Sequence, residues 1–180
     1  MKRHVQTLLP IFLLSLLLAA ASVLAQDKSP TSTSNQSDAK KALDKLKTLA
    51  GSWQGTIMGI SINFTIRPAS SGTTILHEAH TEGDGPPKHE ITMFYLDADR
   101  LLATHYCDAG NRTSLEGKMS PDGKTFTFGF LGVEGSKRGG YLKGMVLTIG
   151  DANHHIAELD FVMPDGKSIP LRGEFARTKS

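Results

Sequence analysis

Downstream of Gly51 the chain consists of short runs in which apolar and polar residues alternate. Ile62, Phe64 and Ile66 alternate with Ser61, Asn63, Thr65 and Arg67, and Leu115, Gly117 and Met119 alternate with Ser114, Glu116 and Lys118. Phe126, Phe128 and Phe130 alternate with Thr127 and Gly129, and Ile169, Leu171, Gly173 and Phe175 with Arg172 and Glu174. A period of two sends successive side chains to opposite faces of an extended chain, so each run predicts a strand with one buried face. Turn-forming clusters divide the runs at 68–72, 83–87, Asp97-Ala98-Asp99, Gly110-Asn111, Pro121-Asp122-Gly123, 150–153 and Pro164-Asp165-Gly166. About ten short antiparallel strands without crossover helices predict an all-β, up-and-down sheet that closes into a barrel, because closure removes unpaired edges.

One stretch has a different period. Ser37 can cap a segment in which Ala39, Ala42, Leu43, Leu46 and Leu49 share one face, while Lys40, Lys41, Asp44 and Lys47 share the other, ending at Gly51. This predicts one short amphipathic helix of about three turns that docks its apolar side. Closing an end of the barrel is the favoured role, ahead of a lid or a partner-binding helix.

Ahead of that helix the pattern changes twice. Lys2, Arg3 and His4 precede an apolar run at 8–24, with Val23-Leu24-Ala25 at the cleavage subsites before Gln26. This is the pattern of a secretory signal peptide, so 1–25 is expected to be removed and the protein to be periplasmic or secreted. Residues 26–37 have no apolar anchor and are rich in Ser, Thr, Asn and Pro, which predicts a disordered tether. The remainder, 38–180, has the size of a single domain.

The leader also accounts for the chain's formal charge of +2. It carries two of the 20 Lys and Arg and none of the 18 Asp and Glu, leaving 18 of each. A balanced chain without a basic stripe gives no reason to expect nucleic acid as a partner. After cleavage no membrane span is expected, and the oligomeric state is left open. The single cysteine, Cys107, excludes an internal disulfide and is expected to be a free thiol, a buried small hydrophobe or half of an intermolecular bridge.

Gly51-Ser52-Trp53-Gln54-Gly55, following a short helix and opening a series of meandering strands, resembles the G-x-W-x-G start of calycin-like barrels: lipocalins, fatty-acid-binding proteins and nitrobindin-type haem barrels. The resemblance implies a calycin-like barrel in which Trp53 plugs the closed end while the glycines let strands cross closely. Pro87-Lys88-His89-Glu90, Thr104-His105-Tyr106-Cys107 and Gly110-Asn111 resemble an uncharacterised family of exported bacterial proteins that is lipocalin-like in fold. Arg112-Thr113 stands where that family's pattern has Gln-Pro.

In 88–96 the odd positions His89, Ile91, Met93 and Tyr95 form the more apolar face, and in 100–107 so do Leu101, Ala103, His105 and Cys107. A hairpin with the three-residue turn Asp97-Ala98-Asp99 keeps odd opposite odd, so His89 faces Cys107 and Ile91 faces His105. Three potential ligands then converge inside the barrel. His89, His105 and Cys107 could bind zinc or copper, His105 alone could be the axial ligand of a haem, as the nitrobindin-type resemblance implies, and a thiol beside an imidazole could be a nucleophile. The reading that leads is a polar patch orienting a ligand in a cavity.

Several familiar arrangements are absent or fail. His77-Glu78-Ala79-His80 is one residue too short for a zinc-protease motif, and on a strand its two histidines point to opposite faces. Of His154 and His155 one faces inward and one outward, and Glu158 and Asp160 lie opposite Ala157, Leu159 and Phe161 on a solvated face. The glycine-rich stretch 132–140 is expected to be a mobile hairpin or portal loop rather than a phosphate cradle. The expected function is binding of a small apolar or amphipathic molecule, with Trp53, Phe64, Met93, Tyr95, Phe128, Met145 and Phe161 as apolar contacts and His89, His105 and Tyr95 as orienting groups. A haem or metal barrel centred on His105 is the alternative, and a small-molecule isomerase or reductase the third; no catalytic residue is assigned.

Overall fold

The computed structural model describes residues 36–82 and 88–178. The expected leader, and all of the expected tether except Gln36 and Ser37, lie outside those residues. Helix α1 (Asp38–Lys47) precedes ten strands: β1 (Gly51–Ile57), β2 (Ile60–Ala69), β3 (Thr74–Glu82), β4 (Lys88–Asp97), β5 (Arg100–Cys107), β6 (Asn111–Met119), β7 (Thr125–Gly135), β8 (Tyr141–Ile149), β9 (His154–Val162) and β10 (Ser168–Arg177). Each strand pairs antiparallel with its sequence neighbours and β1 pairs with β10, so the sheet is a closed up-and-down barrel, as the alternating pattern predicts. Among the described residues no helix is long and apolar enough to cross a membrane.

Local chemistry explains where α1 starts and which side it buries. Ser37 Oγ accepts a hydrogen bond from the Lys40 amide, Asp38 stands in the first turn, and Lys45 and Lys47 stand in the last, where they complement the helix dipole. Ala42, Leu43, Leu46 and Leu49 are each 2% exposed or less, and the helix packs against β2, β4, β5 and β6. Full burial of each leucine is worth about 2 kcal/mol, so this face holds the helix on as the barrel's plug.

Trp53 completes the closed end. Its ring is buried, its Nε1–H donates to Leu49 O at 2.9 Å, and the Arg177 guanidinium lies 4.3 Å above it. Arg177 also donates to the carbonyls of Thr48, Ala50 and Ala152, tying the last strand to the end of α1 and to the β8–β9 turn. Gly55 is needed where β1 and β10 meet, because a Cβ there would stand 2.2 Å from Glu174 O.

Two local expectations are corrected. The β4–β5 hairpin has a two-residue turn, with Asp97 opposite Arg100 and Ala98 at φ 51°. Thr92, not Ile91, is therefore opposite His105, and the odd face of β4 points out of the barrel. The tighter turn suits the strand twist, and the even face of β4 supplies Phe94 and Leu96 to the core, so burial is satisfied either way. In β7, a register shift opposite Ser114 and Leu115 ends the regular inward alternation: Phe126 and Phe128 are buried, whereas Phe130 is exposed against Tyr141.

Candidate functional site

The barrel encloses a cavity of about 690 Å³ that runs from Leu46 and Leu49 of the plug to Met58 and Met163 at the opposite rim. Strand alternation lines it mainly with apolar groups, among them Phe64, Ile75, Phe94, Met145, Leu159 and Phe161. Against this wall stand a few polar side chains, and their order follows from the sheet register.

His77 of β3 is paired with Thr92 of β4, Thr92 with His105 of β5, and His105 with Thr113 of β6, so four polar residues form one row across four strands. Thr92, His105 and Thr113 are all buried. Thr92 Oγ1 lies 3.0 Å from His105 Nδ1, while Thr113 Oγ1 and His77 Nδ1 have no protein partner among the described residues. Two positions nearer the rim, Glu90 and Cys107 share the same inward face. The Cys107 thiol donates to Glu90 Oε1 at 3.2 Å, and Glu90 Oε2 lies 3.8 Å from His105 Nε2.

A third inward histidine, His155, sits at the closed end. Its ring is 4.4 Å from Trp53 and 5.5 Å from Phe175, and its Nδ1 is buried without a partner among the described residues. Burial holds His155 down to about 4, with Arg177 acting in the same direction, and holds His77 down to about 3, helped by His105 and His155. His105 is also lowered by burial, against the opposing pull of Glu90 and Asp108. The three imidazoles are therefore neutral near pH 7 and present lone pairs and N–H groups rather than positive charge. Burial and the neighbouring Glu90 push the Cys107 thiol up to about 12, although the Ala109 amide opposes them, which argues against a resting thiolate nucleophile.

The sequence-predicted site is brought together only in part. His105 and Cys107 face the cavity, and Phe64, Met145 and Phe161 line it. The one-residue change of register places His89, Met93 and Tyr95 on the outer face. His89 is exposed, stacks on His80 at 4.4 Å and lies 2.9 Å from Glu78, while Tyr95 Oη lies 3.1 Å from Thr104 Oγ1. Trp53 and Phe128 are buried but do not line the cavity; Phe128 packs against Phe94 at 5.3 Å. In place of His89, the register supplies Glu90.

Glu90, Thr92, His77 and His155 are the site residues that sequence reasoning missed. His77 carried a legible signal, since it shares parity with Ile75 and Ala79, and His155 shares it with Ala157, Leu159 and Phe161. Asn111 serves the scaffold rather than the cavity. Its Nδ2 donates to Ser136 O at 2.8 Å and Gly140 O at 2.7 Å, so the glycine-rich connection is pinned to β6.

The donor set also bears on cofactors. A haem iron on His105 needs a clear approach to the ring's second nitrogen, yet Glu90 Oε2 faces Nε2, and the Glu90, His105 and Cys107 donors lie within 4.8 Å of one another. Oxygen, nitrogen and sulfur donors converging this closely could hold a bare ion, whereas a haem iron on His105 Nε2 would need the Glu90 carboxylate to turn aside.

No family model and no curated protein matches the chain. Among solved structures, the crystal structure of Rv2717c from M. tuberculosis is similar, with a TM-score of 0.60 at 15% identity over 77% of this chain and 98% of that one. A structure of EF1p2_mFAP2b bound to DFHBI gives a TM-score of 0.40 at 12% identity over 76% of this chain and 99% of that one. The first likeness, together with the closed ten-strand sheet, supports a calycin-like barrel fold and nothing finer.

Proposed function

We propose that this protein binds one small amphipathic molecule inside the barrel, with the apolar body against Phe64, Met145, Leu159 and Phe161 and the polar end at Glu90, Thr92, His105 and Cys107. The supporting observation is the cavity itself. At about 690 Å³ it falls within the range of roughly 300–1,000 Å³ common for small-molecule sites, and its polar groups are few and convergent. Neutral imidazoles and hydroxyls suit a ligand end that exchanges hydrogen bonds, such as a hydroxyl, amide or carbonyl group. The place of action we propose is outside the cytoplasm, on the strength of the apolar run at 8–24 behind Lys2 and Arg3.

Native mass spectrometry and titration with an environment-sensitive fluorescent fatty alcohol test this reading. The expected result is saturable binding of one probe per chain, weakened at least tenfold by Ala79→Leu, which extends a side chain from the cavity wall. Thermal unfolding of that variant checks that the barrel survives. Absence of saturable binding, or equal binding by a folded Ala79→Leu protein, would overturn the proposal.

A further inference from the structure

We propose that Glu90, His105 and Cys107 form a three-ligand site for a zinc-class divalent ion on the cavity wall, leaving the fourth coordination position turned toward the cavity. The site stands whether or not the cavity also takes an organic ligand.

Spacing carries the inference. Zinc bonds of about 2.0–2.2 Å to oxygen and nitrogen and about 2.3 Å to sulfur place ligand atoms at the corners of a tetrahedron, with edges of about 3.4 Å between N and O and about 3.6 Å between O and S. The Glu90 carboxylate lies between the other two donors, with Oε2 3.8 Å from His105 Nε2 and Oε1 3.2 Å from Cys107 Sγ. All three donors lie within 4.8 Å of one another, so small side-chain rotations close them on one ion. One oxygen, one nitrogen and one sulfur ligand with an open fourth position match the borderline-soft preference of zinc, whereas magnesium and calcium favour oxygen alone.

The surroundings point the same way. Thr92 Oγ1, 3.0 Å from His105 Nδ1, can accept that ring's N–H, which leaves the Nε2 lone pair on the side of Glu90 and Cys107. The Asp108 carboxylate stands 3.6 Å from Cys107 Sγ, adding negative potential beside the ion. On binding, the Cys107 S–H bond breaks, its electron pair becomes the metal–sulfur bond and the proton leaves to solvent.

Another group of candidate donors shows what the proposed site does differently. Glu78, His80 and His89 also lie within 4.8 Å of one another on the outer face. Their two imidazoles, however, are stacked 4.4 Å apart with planes only 7° from parallel. Imidazole lone pairs lie in the ring plane, so parallel stacked rings cannot both aim at one ion between them.

The test is titration of the chelator-treated full chain with cobalt(II), followed by competition between zinc and a chromophoric chelator. Expected are one cobalt per chain and a thiolate-to-cobalt charge-transfer band that disappears in Cys107→Ser. Zinc affinity should fall at least tenfold in Glu90→Gln and His105→Gln and stay unchanged in His89→Gln. Tryptophan fluorescence and thermal unfolding report whether each variant is folded. A folded Cys107→Ser protein that keeps the band, zinc affinity sensitive only to His89→Gln, or absence of stoichiometric binding by the parent protein would overturn the site.

Discussion

Thr92 Oγ1 and His105 Nδ1 lie 3.0 Å apart across the β4–β5 hairpin, both side chains buried. The contact exists because the turn between the strands has two residues, which sets threonine rather than Ile91 opposite the histidine. A hydroxyl held against one ring nitrogen fixes both the orientation of the imidazole and the nitrogen left free for the cavity.

Replacing that hydroxyl by a methyl group isolates its contribution. Thr92→Val keeps the side chain's shape but leaves His105 Nδ1 unpartnered in a buried place, so unfolding free energy should fall by about 1–3 kcal/mol. If the proposed ion site is present, zinc affinity should also fall by about 10–100-fold, as for other losses of a partner behind a metal-bound histidine. Thr92→Ser should recover most of both quantities. Urea denaturation and zinc competition measure them, and a Thr92→Val protein with unchanged stability would rule out the hydrogen bond as a structural constraint.

Arg177 joins three parts of the chain that are distant in sequence, through carbonyls at Thr48, Ala50 and Ala152 and through the face of Trp53. Arg177→Met retains an aliphatic stem over the indole and removes the donors and the cation. The expected loss is about 2–4 kcal/mol, from the charged hydrogen bonds plus the cation–π contact. Urea unfolding followed by the fluorescence of Trp53, the chain's single tryptophan, reads the change at the place where it occurs.

Asn111 holds the 136–140 connection by donating from one amide nitrogen to two carbonyl oxygens. Asn111→Asp substitutes an acceptor for that donor and confronts both carbonyls with a carboxylate, at a cost of about 3 kcal/mol. Hydrogen exchange should quicken in the amides of 136–141 beyond what the global loss of stability explains. Unchanged exchange there would mean that the connection is held by its own backbone turns.

The barrel was legible because strand periodicity repeats ten times and errors in single runs do not change the closure. The helix was legible for a similar reason, since Ala42, Leu43, Leu46 and Leu49 leave one possible buried face. The site depended on something finer. In 88–96 the odd face offers Ile91, Met93 and Tyr95, and the even face Thr92, Phe94 and Leu96, so hydrophobicity barely distinguishes them. Turn length decides, and Ala98 at positive φ is not a residue that announces a two-residue turn. One step of register exchanged His89 for Glu90 and left His105 and Cys107 in place. Cavity volume depends on how α1 and ten strands close together, and no local run of sequence carries that information.

Acid should weaken the fold through His155. In the folded chain its imidazole faces Trp53, Phe64 and Phe175, and the charged or titratable groups acting on it are Arg177 and His77, neither of which supplies negative charge. Its folded pKa is held down to about 4 from an ordinary 6.5. The unfolded chain therefore takes up a proton near pH 6.5 that the folded chain refuses until about pH 4. Stability from this group is complete above about pH 6.5, declines as pH falls through that window and levels off below about pH 4. At about 1.4 kcal/mol per pKa unit the full effect is on the order of 3 kcal/mol. His155→Phe keeps an aromatic ring in the cluster, removes the titration and removes an unpartnered buried nitrogen. Urea midpoints measured from about pH 7.5 to about pH 4.5 should thus fall less steeply for His155→Phe than for the parent. Equal slopes in the two proteins would show that His155 is not among the groups, His77 and His105 included, that can make the barrel acid-sensitive.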